Sequence, residues 1–215
     1  DVRGNLVTFF ETVRDKHEQL IEWIGKTPYS RELHERYVRK LYENPEDDLS
    51  DIKRAGMFYY TQRSSFGGKT IHKDGHTNAV FKPPQTDGDT WRNFAEEYRN
   101  AAFILDSIAE RLSAVTIESQ DWASIVDRYD SPTTLFYFDP PYVGTESYYG
   151  TDFDHDAFVD RLSNIKGKFI LSYGDDVPPG LDTYNIHTDD IQRSIGNEDA
   201  DGDRMSERII TNYDP

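Results

Sequence analysis

The sequence predicts an α/β fold in which a largely helical segment interrupts the chain. Residues 113–215 alternate strand-like and helix-like patterns, which is typical of a sheet with crossover connections. Residues 26–112 carry mainly helical periodicity, and residues 1–25 end in a helical pattern as well. A chain of 215 residues is long enough for one full core that carries a sizeable insertion.

In the first half of the chain, apolar residues recur at helical spacing. This spacing predicts helices over residues 5–25, 30–42, 49–60 and 90–112. The last helix has the clearest apolar face, formed by Trp91, Phe94, Tyr98, Ala101, Ala102 and Leu105. Residues 67–89 are rich in glycine, proline, lysine and histidine, which predicts an irregular loop or hairpin.

In the second half, short apolar runs predict strands and are separated by two helical stretches. The predicted strands are residues 115–119, 135–138, 168–173, 181–188 and 207–213. The predicted helices are residues 121–129 and 154–163, with Asp154 as the N-cap of the second. The run at 135–138 is apolar throughout, so we expect a buried strand.

Composition narrows the function classes. The chain has no cysteine, which excludes a disulfide framework, a thiolate zinc site and a thiol nucleophile. It has neither an apolar run long enough for a bilayer nor a signal-peptide pattern, so we expect a cytoplasmic protein. The net charge of −16 by itself counts against a nucleic-acid partner.

The stretch LFYFDPPYVG at residues 135–144 is the strongest local signal for chemistry. Asp139 follows a strand at the end where open α/β sheets bind ligands. Pro140 and Pro141 restrict the backbone and lack N–H groups, which leaves carbonyl oxygens available to accept from a ligand. With Tyr142 beside them, these residues suit a planar amine, although a stiff turn around a buried tyrosine explains the pattern equally well.

The motif Asp139-Pro140-Pro141-Tyr142 resembles the catalytic motif of the Dam-like DNA adenine-N6 methyltransferases. Four more segments match that family in order: DVRGNLV at 1–7, SQDW at 119–122, GKFILS at 167–172 and ERIITNY at 207–213. The resemblance implies a Rossmann-like methyltransferase sheet and S-adenosylmethionine as methyl donor. It also implies cofactor contacts by Asp1, Asp121, Trp122 and Asp139.

Residues 59–81 are similar to the target-recognition segment of the same family. The resemblance implies double-stranded DNA as the partner, an adenine flipped onto Tyr142, and N6 presented to Asp139. It implies DNA contacts by six residues of a basic hairpin at 61–82: Arg63, Ser64, Phe66, Lys69, Lys73 and Asn78. Residues 1–25 and 113–215 would then form the catalytic domain, and 26–112 a helical recognition insertion.

The sequence departs from the family in one respect, because it contains no Gly-x-Gly cofactor loop. The resemblance places such a loop upstream of the segment at 1–7, so that the first strand of the sheet is expected outside these residues or on another polypeptide. We therefore expect these 215 residues alone to bind S-adenosylmethionine weakly or not at all. A cognate restriction endonuclease is a further expected partner.

Other functions were weighed against this one. A non-catalytic DNA-binding remnant, and methylation of RNA or of a protein amide, are the main alternatives. The run FGGKT at 66–70 suggests a P-loop, but Arg63 stands where that motif needs its first glycine. His72 and His76 have helical metal-pair spacing, but Gly75 between them disfavours a helix, so no metal site is predicted.

The scattered acidic residues, with arginine more frequent than lysine, predict a protein adapted to high salt. At about 1 M salt the screening length falls to about 3 Å, which suppresses repulsion among the carboxylates. We expect the melting temperature and activity to rise with KCl up to at least about 1 M, as measured by calorimetry and initial rates. A best performance at low salt with a decline above about 1 M would contradict this prediction.

Overall fold

The structure is a computed structural model that describes residues 4–43, 48–66, 79–83, 85–87, 90–146, 153–191 and 205–214. The predictions for Asp1, Lys69, Lys73, Asn78 and the histidines at 72 and 76 lie outside these ranges. Its contacts divide the chain into two compact units. We call Asp1–Asp121 the helical unit and Trp122–Pro215 the sheet unit.

The helical unit contains five α-helices among its described residues. They are α1 (Gly4–Lys26), α2 (Arg31–Val38), α3 (Asp51–Ser64), α4 (Phe94–Asn100) and α5 (Leu105–Leu112). A π-helical turn, Arg39–Glu43, extends α2, and a 3-10 turn, Ala101–Ile104, joins α4 to α5. A short antiparallel hairpin pairs β1 (Gln85–Asp87) with β2 (Thr90–Arg92).

The core of this unit is rich in tyrosine. Tyr60 and Tyr98 are almost fully buried and meet edge to face with ring centroids 5.1 Å apart. The Tyr59 hydroxyl donates to the Tyr98 carbonyl oxygen over 2.9 Å. Helix α1 packs against α3 and α5, so its contacts lie with the helices of this unit. The assignment of residues 1–25 to a catalytic domain with 113–215 stays a prediction.

Two elements of the helical unit differ from those predicted. The helix predicted over 90–112 is broken: its first residues form β2, and the 3-10 turn separates α4 from α5. Residues 115–119 form no strand, and Val115 is 44% exposed. β-Branched residues favour strands only where a neighbouring strand supplies hydrogen bonds, and the described strands provide none here.

The sheet unit alternates helices with a four-stranded mixed sheet. Its elements are α6 (Trp122–Tyr129), β3 (Leu135–Phe138), α7 (His155–Leu162), β4 (Lys168–Tyr173), a 3-10 turn (Leu181–Thr183), β5 (Asn185–Ile191) and β6 (Met205–Thr211). The strand order is β3-β4-β6-β5. β3 and β4 are parallel, whereas β6 is antiparallel to both β4 and β5. The predicted α/β alternation is therefore confirmed at the level of a mixed sheet with helices.

One face of this sheet carries the core of the unit. Phe136, Phe169, Leu171 and Ile210 are buried there, and Phe158 of α7 meets Phe138 edge to face at 5.5 Å. Residues 135–138 form the predicted strand, but the prediction that it is buried is wrong for the face opposite the core. Leu135 and Tyr137 are 57% and 65% exposed, because β3 ends the described sheet and alternate side chains point to opposite faces.

The strand and helix ends of the sheet unit are held by side chains. The Asp154 carboxylate accepts from the Ala157 N–H over 2.9 Å, which confirms the predicted N-cap of α7. The Asn212 side chain accepts from the Phe169 N–H over 2.8 Å and donates to the Gly167 carbonyl oxygen over 2.9 Å. Asn212 thus clamps the start of β4 against the end of β6.

No helix of the described residues has the length and apolar content needed to cross a membrane.

We expect Asn212→Ala to lower the free energy of unfolding by about 1–3 kcal/mol, because the buried Phe169 N–H loses its acceptor. Chemical denaturation of the sheet unit measures the loss. Asn164→Ala is the matched control, since Asn164 is exposed at the end of α7 and should change stability by less than about 0.5 kcal/mol. Equal stability of the two variants would contradict the clamp.

Candidate active site

The motif Asp139-Pro140-Pro141-Tyr142 begins at the carboxyl end of β3. Because β3 and β4 run parallel with Phe138 opposite Leu171, the motif lies beside the end of β4. Pro140 is buried, whereas Asp139 is exposed. Within the described residues no group donates a hydrogen bond to the Asp139 carboxylate or to the Pro140 carbonyl oxygen. Both oxygens can therefore accept from a ligand.

The chain turns sharply directly after the motif. The Tyr142 carbonyl oxygen accepts from the Thr145 N–H over 2.9 Å and from the Thr145 hydroxyl over 2.8 Å. Gly144, the third residue of this turn, has φ of +81°, a conformation that glycine adopts without strain. The turn explains why a glycine follows Tyr142 and Val143, and it holds the Tyr142 backbone in place.

The Tyr142 ring is held from several sides. It stacks on Tyr173, the last residue of β4, with centroids 5.7 Å apart and planes 22° apart. A Cβ at Gly174 would stand 3.0 Å from the Tyr142 ring, so the absence of a side chain there permits the close approach. The Tyr142 hydroxyl donates to the Glu207 carboxylate of β6 over 3.3 Å.

The charge around the motif is negative. Partial burial and the Glu207 carboxylate raise the pKa of Asp139. Burial, followed by the charges of Glu207 and Asp139, raises the pKa of the Tyr142 hydroxyl well above its usual range. Tyr142 is therefore a neutral hydrogen-bond donor at any ordinary pH.

A series of hydrogen bonds connects the loop that follows the motif to α7 and β4. The Glu146 carboxylate accepts from the Gly144 N–H over 3.0 Å and from His155 Nε2 over 2.9 Å. His155 Nδ1 lies within hydrogen-bond distance of the Tyr173 hydroxyl. Hydrogen bonds from its own N–H, from Gly144 and from His155 lower the pKa of Glu146. These hydrogen bonds connect the residues after the motif to Tyr173, whose ring supports Tyr142.

A cavity of about 440 Å³ lies beside this loop. Val143 and His155 line it, together with Arg208 and the carboxylates of Asp156, Asp175 and Asp176. The Arg208 Nε is buried and has no hydrogen-bond partner among the described residues. Since the lining contains both acidic and basic side chains, it fits neither a simple anion nor a simple cation.

Two of the predicted cofactor contacts outside the motif, Asp121 and Trp122, lie at the N-terminus of α6. Asp121 is exposed and directly precedes the helix. The Trp122 ring packs against Phe158 at 5.0 Å and Phe153 at 6.2 Å, so it is part of the core of the sheet unit. The structure gives Trp122 a packing role, and its predicted contact with the cofactor stays a prediction.

Three of the predicted DNA contacts are described, and they differ in exposure. Arg63 is exposed on the last turn of α3, and Phe66 is 52% exposed directly after it. Ser64 is fully buried: its hydroxyl donates to the Tyr60 carbonyl oxygen over 2.6 Å and lies 2.8 Å from His34 Nδ1. The structure therefore turns Ser64 inward, where it fixes the helix end, while Arg63 and Phe66 face solvent.

The base of the predicted hairpin at 61–82 is closed by backbone pairing. Ser65 and Phe81 form an antiparallel bridge, and the Phe66 N–H donates to the Val80 carbonyl oxygen over 2.8 Å. His34 also lies at this base, with Nε2 3.1 Å from the Ala79 carbonyl oxygen. The described flanks of the predicted hairpin, residues 64–66 and 79–82, are thus paired with each other in the helical unit.

Sequence reasoning missed four residues of the motif's surroundings: Glu146, His155, Tyr173 and Glu207. Tyr173 could have been found from the sequence, because it ends the strand predicted over 168–173, and parallel strands of one sheet end at the same edge. Glu207 lay inside a matched segment, but its side chain reaches Tyr142 only through the pairing of β6 with β4, which no local pattern encodes.

We expect Glu146→Gln to melt at a lower temperature than the natural protein at pH 7. Folding lowers the pKa of Glu146, so its carboxylate stabilises the folded state at pH values above its unfolded pKa, about 4.3. This contribution is lost as the pH falls through the folded-state pKa. The difference between the two melting curves should therefore shrink as the pH falls below about 4.3. Asp160→Asn, at an exposed position of α7, is the control and should show no such convergence. A constant difference across this range would contradict the assigned role.

Comparison with known proteins identifies the family to which this chain belongs. Residues 1–184 match the model of the D12 class N6 adenine-specific DNA methyltransferases. The type II methyltransferase M1.LlaDCHI of Lactococcus lactis subsp. cremoris is 25% identical over 237 residues, which cover 99% of this chain and 78% of that protein. The P-loop and non-catalytic alternatives are not favoured by these matches. Because the family match spans most of the chain, the protein belongs to the D12 class of N6 adenine-specific DNA methyltransferases.

Proposed function

We propose that this DNA adenine methyltransferase binds a flipped adenine at Asp139-Pro140-Pro141-Tyr142 and takes the methyl group from S-adenosylmethionine. The Asp139 carboxylate and the Pro140 carbonyl oxygen accept the two hydrogens of the N6 amine. The Tyr142 ring stacks on the base. Extrusion of the base from the duplex gives the enzyme access to N6.

One observation carries this proposal: two acceptors without a described donor lie next to a held aromatic ring. An exocyclic amine conjugated to a purine is a poor nucleophile, because its lone pair is delocalised into the ring. Two acceptors on its hydrogens favour a tetrahedral nitrogen and localise that lone pair. The contribution of Asp139 and Pro140 is orientation and electrostatics.

The residues of the motif also fit a cationic methyl donor. Asp139 and Glu207 place two carboxylates near Tyr142, and no described cation is paired with Asp139. This negative field attracts a sulfonium. S-adenosylmethionine supplies the methyl group, and Asp121 and Trp122 are the proposed contacts with its adenosine, together with Asp1 outside the described residues.

The hairpin at 61–82 is the proposed DNA contact. Arg63 and Phe66 are exposed at its base, and Lys69, Lys73 and Asn78 lie in the part outside the described residues. Local positive charge in a protein of net charge −16 offers the phosphates a defined contact. We propose no DNA contact for Ser64, since its hydroxyl is engaged inside the helical unit.

We propose that the mixed sheet is part of a Rossmann-like methyltransferase domain and that residues 26–112 serve as the target-recognition insertion. The relative M1.LlaDCHI is a type II methyltransferase. By analogy, a restriction endonuclease that reads the same DNA sequence is a proposed partner of this enzyme.

We expect Asp139→Ala to reduce methyl transfer by at least about 100-fold, the size of effect that removal of one preorganised polar group produces. Transfer of labelled methyl from S-adenosylmethionine to duplex DNA measures it, with the enzyme as it occurs naturally. Asp160→Ala, which removes an exposed carboxylate of α7, is the matched control and should retain full activity.

Equal transfer by the natural enzyme and the Asp139→Ala variant would refute the role of Asp139. DNA binding without any transfer by the natural enzyme would instead support a non-catalytic remnant. Preferential competition by RNA over duplex DNA would overturn the DNA specificity.

A further inference from the structure

The pairing of β6 with β4 brings Glu207 close to the motif. Arg208 pairs with Tyr173 at the end of β4, so Glu207 is the next residue of β6 beyond that pair. Alternate side chains of a strand point to opposite faces, which puts Glu207 on the face away from Arg208. Ile209 and its partner Ser172 share the face of Glu207.

The contact with Tyr142 has only one possible direction. A carboxylate can only accept, so the Tyr142 hydroxyl donates to Glu207 over 3.3 Å. Tyr173 supports one face of the Tyr142 ring, and Gly174 permits its edge to approach the strand. Glu207 is thus the polar anchor of a ring whose other contacts are apolar.

We propose that Glu207 is a positioning residue for methyl transfer, which fixes the Tyr142 ring through its hydroxyl and adds a second negative charge beside Asp139. This inference rests on the proposed role of the motif. It assigns Glu207 a role that acts through Tyr142 and Asp139, without contact with the substrate.

The charge of Glu207 matters because methyl transfer moves positive charge toward the motif. The N6 lone pair forms the bond to the methyl carbon, while the electron pair of the broken carbon–sulfur bond stays on sulfur. N6 then carries the positive charge until one of its protons passes to Asp139 or to water. Two carboxylates stabilise this developing cation better than one.

The described neighbours leave this charge uncompensated. The titratable groups around Asp139 and Tyr142 are Glu207 from β6, Tyr137 from β3 and Tyr173 from β4. The Tyr137 hydroxyl lies 2.9 Å from the Ser172 hydroxyl, and Tyr173 is engaged with His155 of α7. Arg208 points to the opposite face and lines the cavity. The negative charge of Glu207 accordingly raises the pKa of Asp139, after the effect of burial.

Glu207→Gln separates charge from shape, since glutamine keeps the size of the side chain and an oxygen that accepts from Tyr142. We expect single-turnover methyl transfer to fall by roughly tenfold, because the positive charge that develops on N6 loses one of its two carboxylates. The acidic limb of its pH–rate profile should move to lower pH, because Asp139 loses the neighbouring charge that raises its pKa.

Tyr142→Phe is the matched control, because it removes the hydrogen bond and keeps both carboxylates. Its rate should fall, but its acidic limb should stay at the position of the natural enzyme. Glu207→Asp restores the charge on a shorter side chain, so its limb should also stay in place while the rate is reduced. A purely structural role for Glu207 would change the rates without separating the limbs in this way.

Two results would overturn the inference. One is a Glu207→Gln profile that coincides with that of the natural enzyme. The other is an equal displacement of the limb in Tyr142→Phe. If Glu207→Gln folds poorly, as judged by its melting curve, Glu207→Ala takes its place. Its acidic limb should lie at lower pH than that of Tyr142→Phe, and coincidence of the two limbs overturns the inference. Loss of activity in Asp139→Ala together with either result would refute the role of Glu207 alone and leave the function of the motif intact.

Discussion

The parallel pairing of β3 with β4 is the constraint on which the rest of the candidate site depends. Parallel neighbours end at the same edge of a sheet, so Asp139 after β3 and Tyr173 at the end of β4 come together there. Tyr142 then finds a stacking partner, and Gly174 leaves it the space to approach. A different register would separate the acid from the aromatic support.

The antiparallel strand β6 adds the electrostatic half of the site. It pairs with β4 and carries Glu207 to the Tyr142 hydroxyl. The carboxylates of Asp139 and Glu207 repel each other, as the raised pKa of Asp139 indicates. This repulsion destabilises the fold, and a turn with only a structural role would gain nothing from it. A reaction that delivers positive charge to this point gives that cost a physical purpose.

How far the sequence predicted the structure depended on how local each signal was. The bounds of β4, the N-cap at Asp154 and the helix predicted over 121–129 follow from short patterns. The structure confirms the first two, and it forms the helix at Trp122–Tyr129. The helix predicted over 90–112 failed because a hairpin and a 3-10 turn replaced parts of it, although its apolar residues Phe94, Tyr98 and Leu105 are buried as expected. The strand at 115–119 failed because strand propensity without a partner strand forms no sheet.

The sequence by itself determined the family, the candidate motif and the order of elements in the sheet unit. These features rest on contiguous residues whose backbone restraints, such as those of Pro140 and Pro141, act locally. Only the tertiary structure decided which side chains are buried in each unit and what surrounds the motif in the sheet unit. Ser64 turned inward, one face of β3 remained exposed, and Glu207 came to Tyr142 across 65 residues of sequence. The reason is physical: strand register and side-chain packing join residues that are distant in the chain, and no local pattern specifies which of them will meet.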